Sequence, residues 1–324
     1  MNCFSLEWCG LRWSSWIDPT HLSSPTGTGS AGLTPEEVPA EPGLYRIRTH
    51  APKRMAYIGE SGNLADRIVG VWTRLNRCPP SNFAPDESAA RRLAKLQEYH
   101  DMKFELSFYS AAYMRQRDRR PYDEHWRKGY EAYLLWKYRQ ETKISTFANY
   151  GRATLQEGDQ LGSPELGTGY PSQVRPSRPP LSEPENDPDA KIWMDLRWAY
   201  LNEYEDIVRG NLRERMEREL RQFGEGVPLL YKAVDPRTRK LLKVGFTSRG
   251  SAGLRDALAQ VPGRPRMALS PLDQHMPPGS HVLLELRTDL IGGYVHQMGK
   301  PPVHQFNPSP EKPIHLRNRQ LTLF

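Results

Sequence analysis

From residue 43 the chain alternates apolar and polar positions. Gly43-Leu44-Tyr45-Arg46-Ile47-Arg48 predicts a strand with Tyr45 and Ile47 on one face. Residues 49–54 contain a proline and read as a turn. Met55-Ala56-Tyr57-Ile58 then returns as a second strand that stops at Gly59, so an antiparallel hairpin is the simplest connection. Beyond the polar Ser61-Gly62-Asn63 turn the period becomes helical over 64–76, and Ala89, Leu93 and Leu96 mark another helix over 88–100. Phe104-Glu105-Leu106-Ser107-Phe108 alternates again as a third strand, and 122–141 is a long helix. Strands and helices come without regular βαβ alternation, which predicts an α+β fold.

The rest of the chain divides by composition. Residues 1–40 form an irregular segment, rich in Ser, Thr, Pro and Gly from 14 onward, that wraps the first domain (41–152). Residues 153–189 have the composition of a disordered linker. Asp187 and Asp189 stand where caps would open a connecting helix over 190–223. Its Trp193, Leu196, Tyr200, Tyr204, Ile207 and Val208 lie on or near one face, which offers a packing surface or the interface of a homodimer. A second domain follows over 226–310, with a tail at 311–324.

That second domain repeats the first in outline. Tyr45 precedes Gly59 by 14 residues, and Tyr231 precedes Gly245 by the same 14. Lys243-Val244-Gly245 stands where Tyr57-Ile58-Gly59 stood. Glu131 lies 18 residues before Asn149, as Arg287 lies 18 before Gln305. Internal duplication is the expectation.

Charge follows the same division. The formal net charge of +7 hides two basic blocks: 21 Lys/Arg against 13 Asp/Glu over 41–152, and 11 against 5 over 226–305. The connector 153–225 is acidic, with 9 against 15. Two basic surfaces suit a polyanionic partner. No run of 18 apolar residues is present, and the N-terminus lacks the pattern of a signal peptide. Cys3, Cys9 and Cys78 fit neither a disulfide framework nor a metal knuckle, so the expectation is a cytoplasmic protein without a membrane partner.

Two residues raise chemical questions. Arg67, one turn into a helix just past a strand end, is by default a solvated charge. Glu131 shares a helical stripe with Leu134, Leu135 and Tyr138, where a carboxylate costs stability unless it is paired or binds a cation. Its plain alternative is an ion pair with Arg127, one turn back.

Taken together, Gly43-Leu44-Tyr45, Tyr57-Ile58-Gly59-Glu60-Ser61, Asn63-Leu64 with Arg67, Glu131, and Asn149 within Phe147-Ala148-Asn149-Tyr150-Gly151-Arg152 resemble the GIY-YIG endonuclease superfamily over about 41–152. The second block resembles it more weakly. The resemblance implies a small three-stranded antiparallel sheet flanked by helices, and hydrolysis of DNA phosphodiester bonds with one divalent metal, Mg2+ or Mn2+. Glu131 would be the metal ligand, a hard oxygen donor beside the leaving group. Arg67 would clamp a non-bridging oxygen, with Gly59 leaving room for the DNA backbone. Tyr45 or Tyr57 would orient or deprotonate the attacking water, and Asn149 would brace the site.

The family's usual group one turn after the arginine is replaced by Val71. Water activation therefore falls on Tyr45 or Tyr57, or on His50 or Lys53 from the hairpin loop. In the second block Arg287 replaces the metal ligand, which predicts a non-catalytic, DNA-holding copy. The alternative is a nucleic-acid-binding protein in which both modules are inactive.

Overall fold

The computed structural model describes residues 2–18, 38–77, 93–94, 96–97, 102–110, 120–150, 179–201, 229–247, 254, 261–263, 265–271 and 280–306. These fall into two compact units, the first running to residue 179 and the second from residue 180.

In the first unit, strands β1 (Glu7–Trp8) and β2 (Leu11–Arg12) form a small hairpin. Then come β3 (Gly43–Thr49), β4 (Met55–Ser61), helix α1 (Leu64–Arg77), β5 (Phe104–Ser110) and helix α2 (Glu124–Thr142). The main sheet is antiparallel in the order β4-β3-β5, as the alternation predicts. Helix α1 starts where it does because Asn63 caps it. The Asn63 Oδ1 accepts from Asp66 N at 3.2 Å, and its Nδ2 donates to the Asp66 carboxylate at 2.7 Å. Asp123 caps α2 in the same manner, and Lys143 ends it in a left-handed conformation at φ 59°.

Residues 2–18 of the N-terminal segment pack against the main sheet, and 19–37 lie outside the described residues. Ser14 and Ile17 donate their backbone N–H groups to Phe108 and Leu106 at 2.8 Å each, lining the free edge of β5. The β1–β2 hairpin then covers the face of the sheet opposite Tyr45, which is why β3 is buried on both sides. Arg46 points into that covered face. Its guanidinium lies 4.4 Å from the Trp13 ring centre and 4.5 Å from that of Trp16, and it donates to Cys3 O and Ser5 O at 2.8 and 2.7 Å. Burial pulls its pKa down to about 9, while the indole faces and carbonyls hold the cation in place.

The second unit contains β6 (Ile192–Trp193), β7 (Leu196–Arg197), β8 (Ala199–Tyr200), β9 (Leu229–Val234), β10 (Leu241–Thr247), β11 (Arg266–Pro271) and helix α3 (Ser280–Met298). Its sheet order is β10-β9-β11-β8, antiparallel throughout. Residues 190–201 are thus strands and turns, not the start of a connecting helix, and the remainder of 190–223 lies outside the described residues. Trp193 and Leu196, read from sequence as part of a packing surface or a homodimer interface, are buried inside this unit, so for these two the packing alternative holds.

The β6–β7 hairpin does for Lys232 what β1–β2 does for Arg46. The ammonium lies 4.7 Å from the Trp198 ring centre and 5.5 Å from that of Tyr200, and donates to Pro188 O and Ala190 O. Both hairpins carry the same signature, Trp8-x-x-Leu11-Arg12-Trp13 and Trp193-x-x-Leu196-Arg197-Trp198, set 37 and 38 residues before Tyr45 and Tyr231. In each, the indole N–H of the second tryptophan donates to the carbonyl of the first at 3.3 Å. Among the described residues, no helix is long and apolar enough to cross a membrane.

Candidate active site

The register of the first sheet sets Tyr45 directly opposite Gly59, and Ile47 opposite Tyr57. The two tyrosine rings close over the glycine with centroids 5.7 Å apart. A Cβ on Gly59 would stand 2.5 Å from Tyr57 Cε1 and 2.7 Å from Tyr45 Cζ. The space left by this glycine is therefore filled by protein, which corrects the expectation that it admits a DNA backbone. Glycine is required there so that both rings can lie flat on the sheet.

Tyr45 is buried, and Tyr57 is partly exposed beside it. Burial, reinforced by Tyr57 and Glu131, drives the Tyr45 hydroxyl well above its ordinary pKa, against the pull of Arg67. A phenol so placed keeps its proton and serves as a donor, which argues against Tyr45 as the general base. His50 and Lys53 are also poorly placed. They sit in the turn beyond Thr49, roughly 13 Å along β3 from Tyr45 at strand rise, and His50 lies 3.5 Å from Glu105. Val71 packs into the core and has no chemical role.

Glu131 reaches the site from α2 and is half-buried. Its carboxyl is pushed up to about 8, first by burial and then by the neighbouring Glu60, while Arg67 and Lys128 pull it back. The alternative pairing with Arg127 does not form. Arg127 instead donates to Glu60 at 2.9 Å and to Pro121 O at 2.8 Å. Glu131 has no ion pair or hydrogen bond among the described residues. Arg67 is exposed, also without a carboxylate partner among them, and its field reaches both Tyr45 and Glu131. The fold therefore brings Tyr45, Tyr57, Arg67 and Glu131 close enough to act on one another electrostatically. Glu60 and Arg127 belong to the same cluster, and the sequence reading missed Glu60; its place next to Gly59 was the available signal.

Asn149 acts on the backbone. Its amide accepts from Ile58 N at 3.0 Å and donates to Ile58 O at 2.6 Å, while Ala148 N donates to Ala56 O at 2.9 Å. These bonds stitch the loop after α2 onto β4, beside Gly59. The second unit has the same stitch: Gln305 exchanges bonds of 2.8 and 2.9 Å with Val244, and His304 N donates to Leu242 O at 2.9 Å. There too the tyrosine faces the glycine, Tyr231 against Gly245, with a Cβ position 2.5 Å from Tyr231 Cζ.

As a candidate metal centre the first unit offers one carboxylate. No cluster of three or more His, Cys, Asp or Glu side chains occurs among the described residues. A partly buried carboxylate without a partner among the described residues, with a second carboxylate nearby, suits a hard divalent cation, which would relieve both the burial cost and the repulsion. No family model matches this chain, and no curated protein or solved structure matches it either.

Proposed function

We propose that the chain is a metal-dependent DNA endonuclease of GIY-YIG type, with a catalytic first unit and a second unit that is a non-catalytic, DNA-holding copy. The observation that supports this most is the placement of Glu131, partly buried and without a partner among the described residues, in the electrostatic reach of Arg67 and of Tyr45, which closes with Tyr57 over Gly59. The duplication rests on the shared strand order, the Tyr–Gly cross-strand pairs, the Asn149/Gln305 stitches and the two tryptophan hairpins.

Mg2+ or Mn2+ held by Glu131 would neutralise charge on the leaving 3′ oxygen. The remaining steps belong to the chain. Arg67, exposed and without an ion-pair partner among the described residues, would swing onto a non-bridging phosphoryl oxygen, where its fork of donors meets the charge that grows during attack. Tyr45 keeps its proton and donates it in a hydrogen bond to the Tyr57 hydroxyl. Tyr57, the more accessible of the pair, is left to orient the attacking water. Glu60, locked by Arg127, holds a negative charge beside Glu131 and so strengthens its pull on a cation. Asn149 keeps β4 in register beneath both tyrosines.

The direct test is incubation of the purified protein with supercoiled plasmid and Mg2+ or Mn2+, beside an EDTA control. Metal-dependent nicking or linearisation is expected, and its absence with both metals would sink the reading. The second reading is a nucleic-acid-binding protein with two inactive modules. Two observations favour it: Val71 lies in the core, and Tyr45 resists deprotonation.

A further inference from the structure

We infer that Glu60 is a positioning residue: it holds the Arg127 guanidinium away from Glu131, and so keeps the Glu131 carboxylate open for a cation. The inference deepens the metal-dependent reading proposed above and rests on it. Arg127 stands one turn before Glu131 on α2, and side chains four apart on a helix are neighbours, with Cβ atoms ~5–6 Å apart. A guanidinium so close to a partly buried carboxylate is expected to pair with it. Arg127 does not. Its Nε donates to Glu60 at 2.9 Å and its Nη1 to Pro121 O at 2.8 Å, while Nη2 lies 3.7 Å from where a Cβ on Gly62 would stand. Lys128, the other cation of α2 whose field reaches Glu131, is held by Glu124 at 2.5 Å.

Two carboxylates thus compete for one buried guanidinium, and the one on β4 takes it. Arg127 is 5% exposed, too buried to be left without a carboxylate. If Glu60 loses its charge, two carboxylates of α2 remain at helical spacing. Glu124 is exposed and already engaged with Lys128, so Glu131 is the one that receives Arg127. The new ion pair would satisfy Glu131 and close it to a metal.

The second unit supports this division of roles. There Arg287 stands in the place of Glu131, and no carboxylate needs to be kept open. The position after Gly245, matching Glu60, is Phe246, and the position four before Arg287, matching Arg127, is Leu283. Both members of the pair are apolar in the copy that lacks the carboxylate. A pair whose only task was to tie the helix to the strand would serve both copies equally.

The test uses the full-length protein in EDTA at pH 8.5, with melting temperature as the readout, for wild type, Glu131→Gln, Glu60→Gln and the double variant. Glutamine at 60 keeps an acceptor for Arg127 Nε, so the fold is retained while the charge is removed. In the wild-type background Glu131→Gln removes an uncompensated carboxylate and should raise the melting temperature. In the Glu60→Gln background the same substitution should lower it by roughly 2–6 °C, because Glu131 now holds Arg127. Burial is the larger cause of the Glu131 cost, so losing the Glu60 charge alone would leave the substitution stabilising. The same direction of shift in both backgrounds therefore overturns the inference.

A second arm measures Mn2+ affinity by electron paramagnetic resonance. Glu60→Gln should weaken it by roughly tenfold or more, and adding Arg127→Met should recover most of that loss. A double variant that binds no better than Glu60→Gln also overturns the inference. Wild type that binds no Mn2+ would end the metal-dependent reading instead, while the melting comparison still decides where Arg127 goes.

Discussion

Replacing Glu131 with glutamine should stabilise the metal-free protein above neutral pH while abolishing cleavage. The carboxyl is raised from 4.5 to about 8 in the folded chain, so the folded state binds this proton more tightly than the unfolded state does. An ionised Glu131 therefore costs nothing below pH 4.5, costs progressively more between 4.5 and 8, and carries its full cost above 8. At about 1.4 kcal/mol per pH unit the upper limit is ~5 kcal/mol. Solvent contact of a half-buried group reduces this to about 1–3 kcal/mol.

For a unit of this size, each kcal/mol moves the melting temperature by about 2–4 °C. Glu131→Gln in EDTA should accordingly melt roughly 3–10 °C higher than wild type at pH 8.5, with the gap closing towards pH 4.5. Adding Mg2+ should close or reverse the gap, because a cation at a hundred times its dissociation constant stabilises the wild type by ~2.7 kcal/mol, which offsets most of that cost, whereas the variant lacks the ligand. Calorimetry at three pH values with and without Mg2+, beside plasmid cleavage, measures all of this. A variant that is less stable at every pH, or whose advantage does not depend on pH, would refute the argument that Glu131 is an uncompensated carboxylate.

Other positions separate chemistry from packing. Arg67→Ala should slow cleavage by ~10²–10³-fold yet change stability by less than ~0.5 kcal/mol, since the side chain is exposed; a rate loss under tenfold would return Arg67 to an ordinary solvated charge. Gly59→Ala forces a methyl group to within 2.5 Å of Tyr57 Cε1 and should cost about 1–3 kcal/mol in urea unfolding; unchanged stability would mean the rings do not close over the glycine. Trp198→Ala removes the indole against Lys232 and should destabilise by about 3–5 kcal/mol. A loss below 1 kcal/mol would show that the β6–β7 hairpin is not part of the second unit's core.

The sheet, its two flanking helices and the residues around Gly59 were legible because each left a constraint in the sequence. Alternation fixed β3, β4 and β5 to within three residues at their ends. A glycine facing a tyrosine at matched spacing marked a close approach that recurs at Gly245. What filled that approach was not legible, because spacing says that room is needed without saying for what. The rings of Tyr45 and Tyr57 fill it, and that depends on cross-strand register.

The first tryptophan hairpin fell in the segment read as irregular, and the second was misread as helix for a different reason. In a two-residue hairpin the positions flanking the turn pair across it, so Trp193 faces Leu196 at a spacing of three. That is also the spacing of neighbours on a helix face. The turn residues gave no correction: Cys9-Gly10 and Met194-Asp195 adopt positive φ without the Asn-Gly or Asp-Gly pair that normally announces such a turn. What distinguishes hairpin from helix here is the cation. Arg46 follows Tyr45 and Lys232 follows Tyr231, and the alternation assigns both to a solvent face. Each unit covers that face with a hairpin rich in tryptophan, and a basic residue beneath it fixes the position of the indoles through its charge. With one face covered in this way, the other is left for Gly59 and its tyrosines in one unit, and for Gly245 with Lys243 and Arg287 in the other.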